Sequence, residues 1–392
     1  MPEMEKKVLV FRVPEYDQNL MDEKVEEIFS RLPAARELNP GTRVLIKPNL
    51  LAKHPPEHGV TTHPAVVLGV IRACKRRGVP AEQITVADSS GGLYNPALMK
   101  GVYQASGLWQ VCQEEGVECY TQCRYEAKRG EGKLVHQFNL IQPVLEADFI
   151  IDLPKMKTHV MTGYTGAVKN LFGCIPGLQK AELHTRFPKK EAFGHMLVDL
   201  LELVKPQMAI LDGILAQEGD GPAGGMPRKV GLLMASQDLP ALDLAACRLI
   251  GLDPMEVPYL WAAHERGLCP AAFDPACLDG EREAFDEIKD YRLPSSYGTG
   301  RGSDLDFARY QKLPGFMKKG IKKLEELAAP RPVIRRDRCI GCGKCAEICP
   351  GHTIRVEGKA KIDPKGCIRC FCCHEMCPVK AIDVKQIKLF KL

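Results

Sequence analysis

The runs Cys339-Ile340-Gly341-Cys342-Gly343-Lys344-Cys345-Ala346-Glu347-Ile348-Cys349-Pro350 and Cys367-Ile368-Arg369-Cys370-Phe371-Cys372-Cys373-His374-Glu375-Met376-Cys377-Pro378 decide the fold at the C-terminal end of the chain. Each spaces its cysteines as Cys-x2-Cys-x2-Cys-x3-Cys-Pro. Three thiolates two residues apart let a short loop wrap one corner of an iron–sulfur cubane, with a fourth thiolate coming from elsewhere. Zinc usually takes four ligands in two pairs, which is a poorer match to eight cysteines in two interlocked runs. The prolines restrict the backbone after the last cysteine of each run, because proline fixes φ and donates no hydrogen bond.

Residues 334–386 resemble the bacterial double [4Fe-4S] ferredoxin module, a small α+β domain. In two-cluster ferredoxins the last cysteine of each run serves the other cluster. The resemblance therefore implies one cluster on Cys339, Cys342, Cys345 and Cys377, and a second on Cys367, Cys370, Cys373 and Cys349. Cys372 falls out of register and reads as a spare thiol.

Outward from this module, 392 residues exceed the usual ceiling for a single core. The reading is an α/β domain over 1–270, an irregular or helical linker over 271–333 and the cluster domain over 334–392. The linker holds loop composition at Ser295–Ser303, a helical pattern at Gly315–Ala329 and the stiff Pro330-Arg331-Pro332. No apolar run reaches the roughly 18 residues of a membrane span. The start passes directly into Val8-Leu9-Val10-Phe11, which reads as a strand and not a secretory leader. The eight cysteines outside the two runs and Cys372 (Cys74, Cys112, Cys119, Cys123, Cys174, Cys247, Cys269 and Cys277) are scattered, which fits reduced thiols in a cytoplasm. A net charge of +5, with Lys385, Lys388 and Lys391 near the end, carries no basic stripe interleaved with aromatics, so nucleic-acid binding is not expected. The basic end reads as a solvated face or as a docking face for an acidic redox partner protein.

The first 270 residues alternate apolar runs with helical periodicity. Strands are expected at Val8–Val13, Arg43–Lys47, Ile84–Asp88, Asp148–Asp152, Met208–Asp212 and Val230–Ala235. Helices are expected at Asp22–Arg31, Pro64–Arg77, Pro96–Ser106, Glu191–Leu203 and Leu239–Ile250. Val117–Leu140 reads as one or two further strands, antiparallel if paired. Continuous apolar runs alternating with helices predict an α/β fold, a mostly parallel sheet flanked by helices.

Ligands bind at the C-terminal ends of strands in such sheets. Lys47-Pro48-Asn49, Asp88-Ser89-Ser90-Gly91-Gly92, Asp152 through His159 and Asp212-Gly213 each follow or end a strand, and so converge on one rim. The stretch Lys155–Gly177 adds Lys155, Lys157, His159 and Lys169 among four glycines, a composition suited to a small anionic substrate or to acid–base chemistry. Catalytic candidates are Lys155, Lys157, His159, Lys169, Asp88 and Asp212. The loop Glu218–Arg228 reads either as a lid over the rim or as a plain surface loop, with Glu218 and Asp220 as metal candidates. His54, His58 and His63 form a loose histidine group more typical of a loop than of a metal site, and His184 and His195 are secondary candidates.

The same motifs, together with Gly166-Ala167-Val168-Lys169-Asn170-Leu171-Phe172-Gly173 and Glu218-Gly219-Asp220-Gly221-Pro222, resemble domain-of-unknown-function family 362 across residues 8–260. That resemblance implies a prokaryotic, often anaerobic, iron–sulfur protein and supplies no reaction. A local stretch, His159-x3-Gly163-x2-Gly166-x2-Lys169 with Pro176-Gly177 following, is similar to nickel-pincer lactate racemases. There the lysine holds the cofactor covalently and the histidine serves the site, roles that would fall to Lys169 and His159. Two functions are expected from this sequence: an oxidoreductase passing electrons between two clusters and a site for a small anion, or a ferredoxin-like carrier that docks on a partner enzyme. Delivery of clusters to other proteins is a weaker third.

Overall fold

The computed structural model describes residues 7–297 and 329–386. The chain starts with β1 (Val8–Arg12), α1 (Gln18–Arg31), β2 (Val44–Pro48), α2 (Pro64–Arg76), β3 (Ile84–Val86), α3 (Pro96–Ala105), α4 (Leu108–Glu115) and β4 (Glu118–Cys119). An antiparallel side hairpin, β5 (Tyr125–Arg129) and β6 (Gln137–Ile141), leads to α5 (Gln142–Glu146). Then come β7 (Phe149–Leu153), β8 (Lys155–His159), β9 (Gly163–Thr165), α6 (Ala167–Asn170), α7 (Gln179–Arg186) and α8 (Lys190–Val204). The part closes with β10 (Met208–Glu218), β11 (Met226–Ser236), α9 (Leu239–Leu249), α10 (Pro258–Glu265) and β12 (Leu278–Gly280).

Helix starts follow local chemistry. Asp17, Asn95 and Asp238 each accept a backbone N–H of the first turn, and Pro64, Pro96 and Pro240 stand where a missing N–H costs nothing. The strands β2 and β7 are buried at every position, as strands covered on both faces require.

The sheet runs β12-β1-β11-β10-β7-β2-β3-β4. The pairs β10–β7, β7–β2, β2–β3 and β3–β4 are parallel, while β11 is antiparallel to both neighbours. Alternate side chains enter two cores. Leu9, Val44, Ile46, Ile151 and Ile210 pack against α1 to α4 on one face. Val8, Leu45, Ile150 and Leu211 pack against α6 and α8 to α10 on the other.

Three departures from the sequence reading matter for the site. Lys155–His159 is itself a strand rather than the stretch that follows one: after Pro154, β8 takes over from β7 along the long β10, pairing at Asp212 and Gln217. The strand expected to end at Asp212 continues to Glu218, because β11 pairs with it as far as Met226. The Gly-rich 219–225 segment is therefore the turn of a hairpin. It is not a free lid: Tyr291, Arg292 and Ser295 bond to Gln217, Gly219 and Asp220 from one side. In addition β12, which pairs in parallel with β1, comes from the stretch read as irregular. The Gly315–Ala329 helix (Ala329 apart), much of the Ser295–Ser303 loop, Lys388 and Lys391 lie outside the described residues.

The cysteine-rich part holds β13 (Arg331–Ile334), α11 (Lys344–Glu347), a hairpin of β14 (Ile354–Glu357) and β15 (Lys359–Ile362), α12 (Cys372–Glu375) and β16 (Ile382–Lys385). β13 pairs antiparallel with β16 and so joins its two ends. Its two halves repeat in backbone as well as in cysteines. Counterparts lie 28 positions apart (339 to 367), and left-handed φ recurs at Gly341 and Arg369, Gly343 and Phe371, and His352 and Lys380. Arg369 and Phe371 take a conformation that favours glycine, so the path round the thiols is held at some local cost.

Candidate functional site

Two rings of thiols form in the C-terminal part. Cys339, Cys342, Cys345 and Cys377 line one small cavity, and Cys349, Cys367, Cys370 and Cys373 line another. All are free thiols. Backbone N–H groups of Ala360 and Ala381 point at Cys339 Sγ (3.4 Å) and Cys377 Sγ (3.2 Å), and the Ala360 N–H holds the Cys339 thiol below its ordinary pKa, which favours thiolate there. Four sulfur donors per cavity with N–H groups aimed at them fit an iron–sulfur cluster.

The rim of the large sheet faces this module. Lys47, at the end of β2, is fully buried and pairs with Asp88, just past β3, at 2.9 Å. Asp88 Oδ2 also accepts the Leu50 N–H. Gly173 has to be glycine: a Cβ there would stand 1.9 Å from Asp88 Oδ1. Asp152, at the end of β7, accepts from Asn170 Nδ2 at 2.8 Å, and burial pushes its carboxyl up to about 8. Asn170 in turn accepts from Asn49, whose Oδ1 takes the Lys157 ammonium or amine at 2.6 Å. α6 carries Lys169, and its first N–H groups are held by the Asp243 carboxylate from α9 at 2.7 and 3.0 Å.

Lys155 and Asp212 do not join this group. Lys155 Nζ bonds to Asp212 Oδ2 (2.7 Å) and to Tyr16 Oη (2.8 Å), and Tyr16 donates to Asp212 Oδ1. His63 donates its backbone N–H to the same carboxylate and stacks its ring on Tyr16 at 3.5 Å. This closed, buried network ties β8, β10 and the entry to α2 together, which is a structural duty.

Between rim and module lies a cavity of about 80 Å³. Asn49, Asp88, Lys157, Lys169, Lys180 and His184 line it from the α/β part, and Ile348, Cys372, Glu375 and Met376 from the module. Lys180 is held by Ser89 O, Ser89 Oγ and Ile175 O at 2.6–3.0 Å. Burial, then neighbouring lysines, pushes Lys157 down to about 7; burial and Lys47 do the same to Lys180. Lys169 Nζ has no hydrogen bond or ion pair among the described residues and stands 5.7 Å from the Phe172 ring centre. Lys47 is matched by Asp88, so even with Lys157 neutral two lysines, Lys169 and Lys180, face one carboxylate, Glu375, across the cavity, and an anion is favoured there.

Glu375 meets His159 from β8. Their Oε1 and Nε2 atoms lie 3.2 Å apart but are not aligned as a hydrogen bond, so both stay unpartnered in that sense. His159 Nδ1 accepts the N–H groups of Met161 and Thr162, which places the neutral ring's proton on Nε2. Burial pushes His159 down to about 4. Burial opposes the Glu375 charge, yet His159 and Lys169 hold its carboxyl down to about 2.

The hairpin turn 219–225 is packed from the module side too. A Cβ on Gly224 would stand 2.5 Å from His374, and Lys380 donates to Gly225 O at 3.0 Å. Glu218 pairs with Arg292 and Arg228, and Asp220 accepts from Ser295 N–H, so both acids are occupied. Among the described residues no three His, Cys, Asp or Glu side chains gather round a single metal ion. His195 lies on α8 against Arg266 and Trp261, away from the cavity.

Of the sequence candidates, the fold thus gathers Lys157, Lys169, Asp88, His184 and, through Glu375, His159. Sequence reasoning missed Lys180 and Glu375. Lys180 follows Pro176-Gly177 within a polar helical turn, a weak signal. Glu375 sits among ligand-spaced cysteines and gives none.

A family model described as "Domain of unknown function (DUF362)" matches residues 44–248, and one described as "4Fe-4S binding domain" matches residues 332–355. A thylakoid-associated protein of Synechocystis sp. is 37% identical over 238 residues, which is 60% of this chain and 71% of that protein. Among solved structures, the lactate racemase apoprotein from Thermoanaerobacterium thermosaccharolyticum aligns with TM-score 0.39 and 14% identity. The match covers 66% of this chain and 59% of that one, and is too distant to carry residue roles across. Among the described residues no helix is long and apolar enough to cross a membrane.

Proposed function

The chain belongs to the DUF362 family, and from that premise we propose that it is an iron–sulfur oxidoreductase whose cysteine-rich module exchanges electrons with a small anion bound at the rim of the sheet. One observation carries the reading: a single cavity has Lys157, Lys169 and Lys180 on one wall and Cys372, Glu375 and Ile348 on the other. Ile348 and Cys372 are the chain neighbours of Cys349 and Cys373, two of the four thiols in the second ring. Two [4Fe-4S] clusters, one per ring, would each supply one-electron transfer. Lys169 and Lys180 bind and orient the anion, Asp243 fixes Lys169 by holding the start of α6, and the docked module keeps water away. His159 carries its proton on Nε2 toward Glu375 and the cavity beyond. A cytoplasmic location is part of this proposal.

The test uses full-length protein reconstituted without oxygen. Phosphate and small carboxylates are screened for a shift in melting temperature and in the electron paramagnetic resonance of the reduced protein. Binding that disappears in Lys169→Ala and Lys180→Ala supports the reading. If no anion changes either signal while iron content is intact, the reading fails.

A specific observation favours a second role, as a carrier docking on a partner protein. Ile340 and Val379 are 62% and 37% exposed, and they line the first thiol ring, where Cys342 is itself exposed. Tight co-purification of a redox partner, without any anion binding, would select it.

A further inference from the structure

Lys157 differs from the other lysines of the rim in what its nitrogen touches. Nζ donates to Asn49 Oδ1 at 2.6 Å and to Val60 O at 2.7 Å. No carboxylate oxygen comes within ion-pair distance among the described residues, whereas Lys47 has Asp88 and Lys155 has Asp212. An ammonium carries three N–H donors; a neutral amine carries two and a lone pair. Two acceptors therefore satisfy the neutral amine completely and would strand the third N–H of the ammonium in a buried site. Lys180 supplies the contrast within the same cavity: three acceptors for three N–H groups. Burial, together with the charge of Lys169, also weakens the hold of Lys157 on its third proton.

A neutral amine lining a cavity is a nucleophile for a carbonyl carbon. Lys169 lines that cavity with no hydrogen bond or ion pair of its own, so an anionic group has a place beside the amine. At about 80 Å³ the cavity confines both functions to one small molecule. We infer that Lys157 condenses with the carbonyl of a small 2-oxo acid whose carboxylate pairs with Lys169. The nitrogen lone pair forms the C–N bond. The carbonyl oxygen leaves as water with one amine hydrogen and one proton from solvent, giving an iminium that keeps one N–H for Asn49 or Val60. No electrons are gained or lost in this step. The inference rests on the anion-binding reading of the cavity and names the substrate class for it.

Glyoxylate and pyruvate serve as probes, with cyanoborohydride as trap, on the reconstituted full-length protein without oxygen. The expected result is one reduced adduct per chain by intact mass, mapped to the peptide containing Lys157, blocked by excess phosphate and lost in Lys157→Met. Lys169→Ala raises the glyoxylate concentration needed by roughly tenfold or more. If Lys157→Met does not fold, the peptide map of the unaltered protein decides. An adduct confined to other lysines, or none at all, overturns the inference. If phosphate still raises the melting temperature while no adduct forms, only the nucleophile is wrong; if phosphate does nothing either, the anion site falls with it.

Discussion

Asp212→Ala separates a structural duty from a catalytic one at the residue pair that the sequence presents as catalytic. The Asp212 carboxylate accepts from Lys155 Nζ (2.7 Å), Tyr16 Oη (2.8 Å), the His63 N–H (2.9 Å) and the Ile214 N–H (3.3 Å). Both charged side chains are fully buried. Removing the carboxylate leaves the Lys155 ammonium with Tyr16 alone and orphans the His63 N–H. Breaking a buried pair by deleting one partner costs about 3–5 kcal/mol. For a domain of this size that lowers the melting temperature by roughly 6–20 °C. Burial holds the Lys155 pKa below its ordinary value, with Asp212 opposing. The cost in the variant is therefore full at low pH and shrinks as pH rises through the lowered folded pKa toward the unfolded value. The double substitution Lys155→Met/Asp212→Leu removes both charges and should recover most of the loss, a non-additivity that a double-mutant cycle reads directly. The assay is urea unfolding of each variant beside phosphate binding by melting shift. A stable Asp212→Ala protein that no longer binds the anion would refute the structural assignment and return the pair to the site.

Two further outcomes follow from the geometry. Cys342→Ala should lose about half of the iron bound per chain, because only one of two thiol rings is opened, while Cys372→Ser should keep all of it; iron analysis giving unchanged content for Cys342→Ala would sink the ligand assignment. The contribution of His159 and His184 to stability should fall as pH drops below about 6.5, because burial holds them down to about 4 and about 3, so at these two rings the unfolded chain binds protons that the folded chain refuses; Asp152, pushed up to about 8 by burial, works in the opposite direction. Each ring contributes up to about 1.4 kcal/mol per pH unit in that window. His184→Phe, which keeps the ring stack on Phe193 at 4.5 Å, should flatten the slope in urea titrations between about pH 5 and 6.5. An unchanged slope contradicts the assignment.

Much of this protein is legible in its sequence. The cysteine spacing fixes its iron–sulfur character, because a loop around a cubane must repeat its thiols at set intervals. The apolar runs at Val44–Ile46 and Phe149–Ile151 announce strands buried on both faces, and Asp17, Asn95 and Asp238 mark helix starts. These signals are local, so neighbours in the chain carry them. The rim was also legible, since strand ends of a parallel sheet must come out on one side.

What each rim residue does was not. Lys155 and Lys157 are two positions apart on β8 and so share a face of the strand, yet one is closed off by Asp212 and Tyr16 while the other reaches the cavity. The difference comes from Asp212 and Asn49, residues far away in the chain. The Glu218–Arg228 loop reads equally as a lid or as a plain surface loop until β11 is seen to pair with β10 and the module is seen to cover its turn. The sequence by itself determined the α/β class with its mostly parallel sheet, the thiol spacing and most of the charged candidates, because periodicity and ligand spacing act over a few residues. Only the tertiary structure decided which lysines are paired and which face the cavity, and that Glu375 of the cysteine-rich module closes it. Burial and charge pairing depend on groups that meet only when distant segments pack.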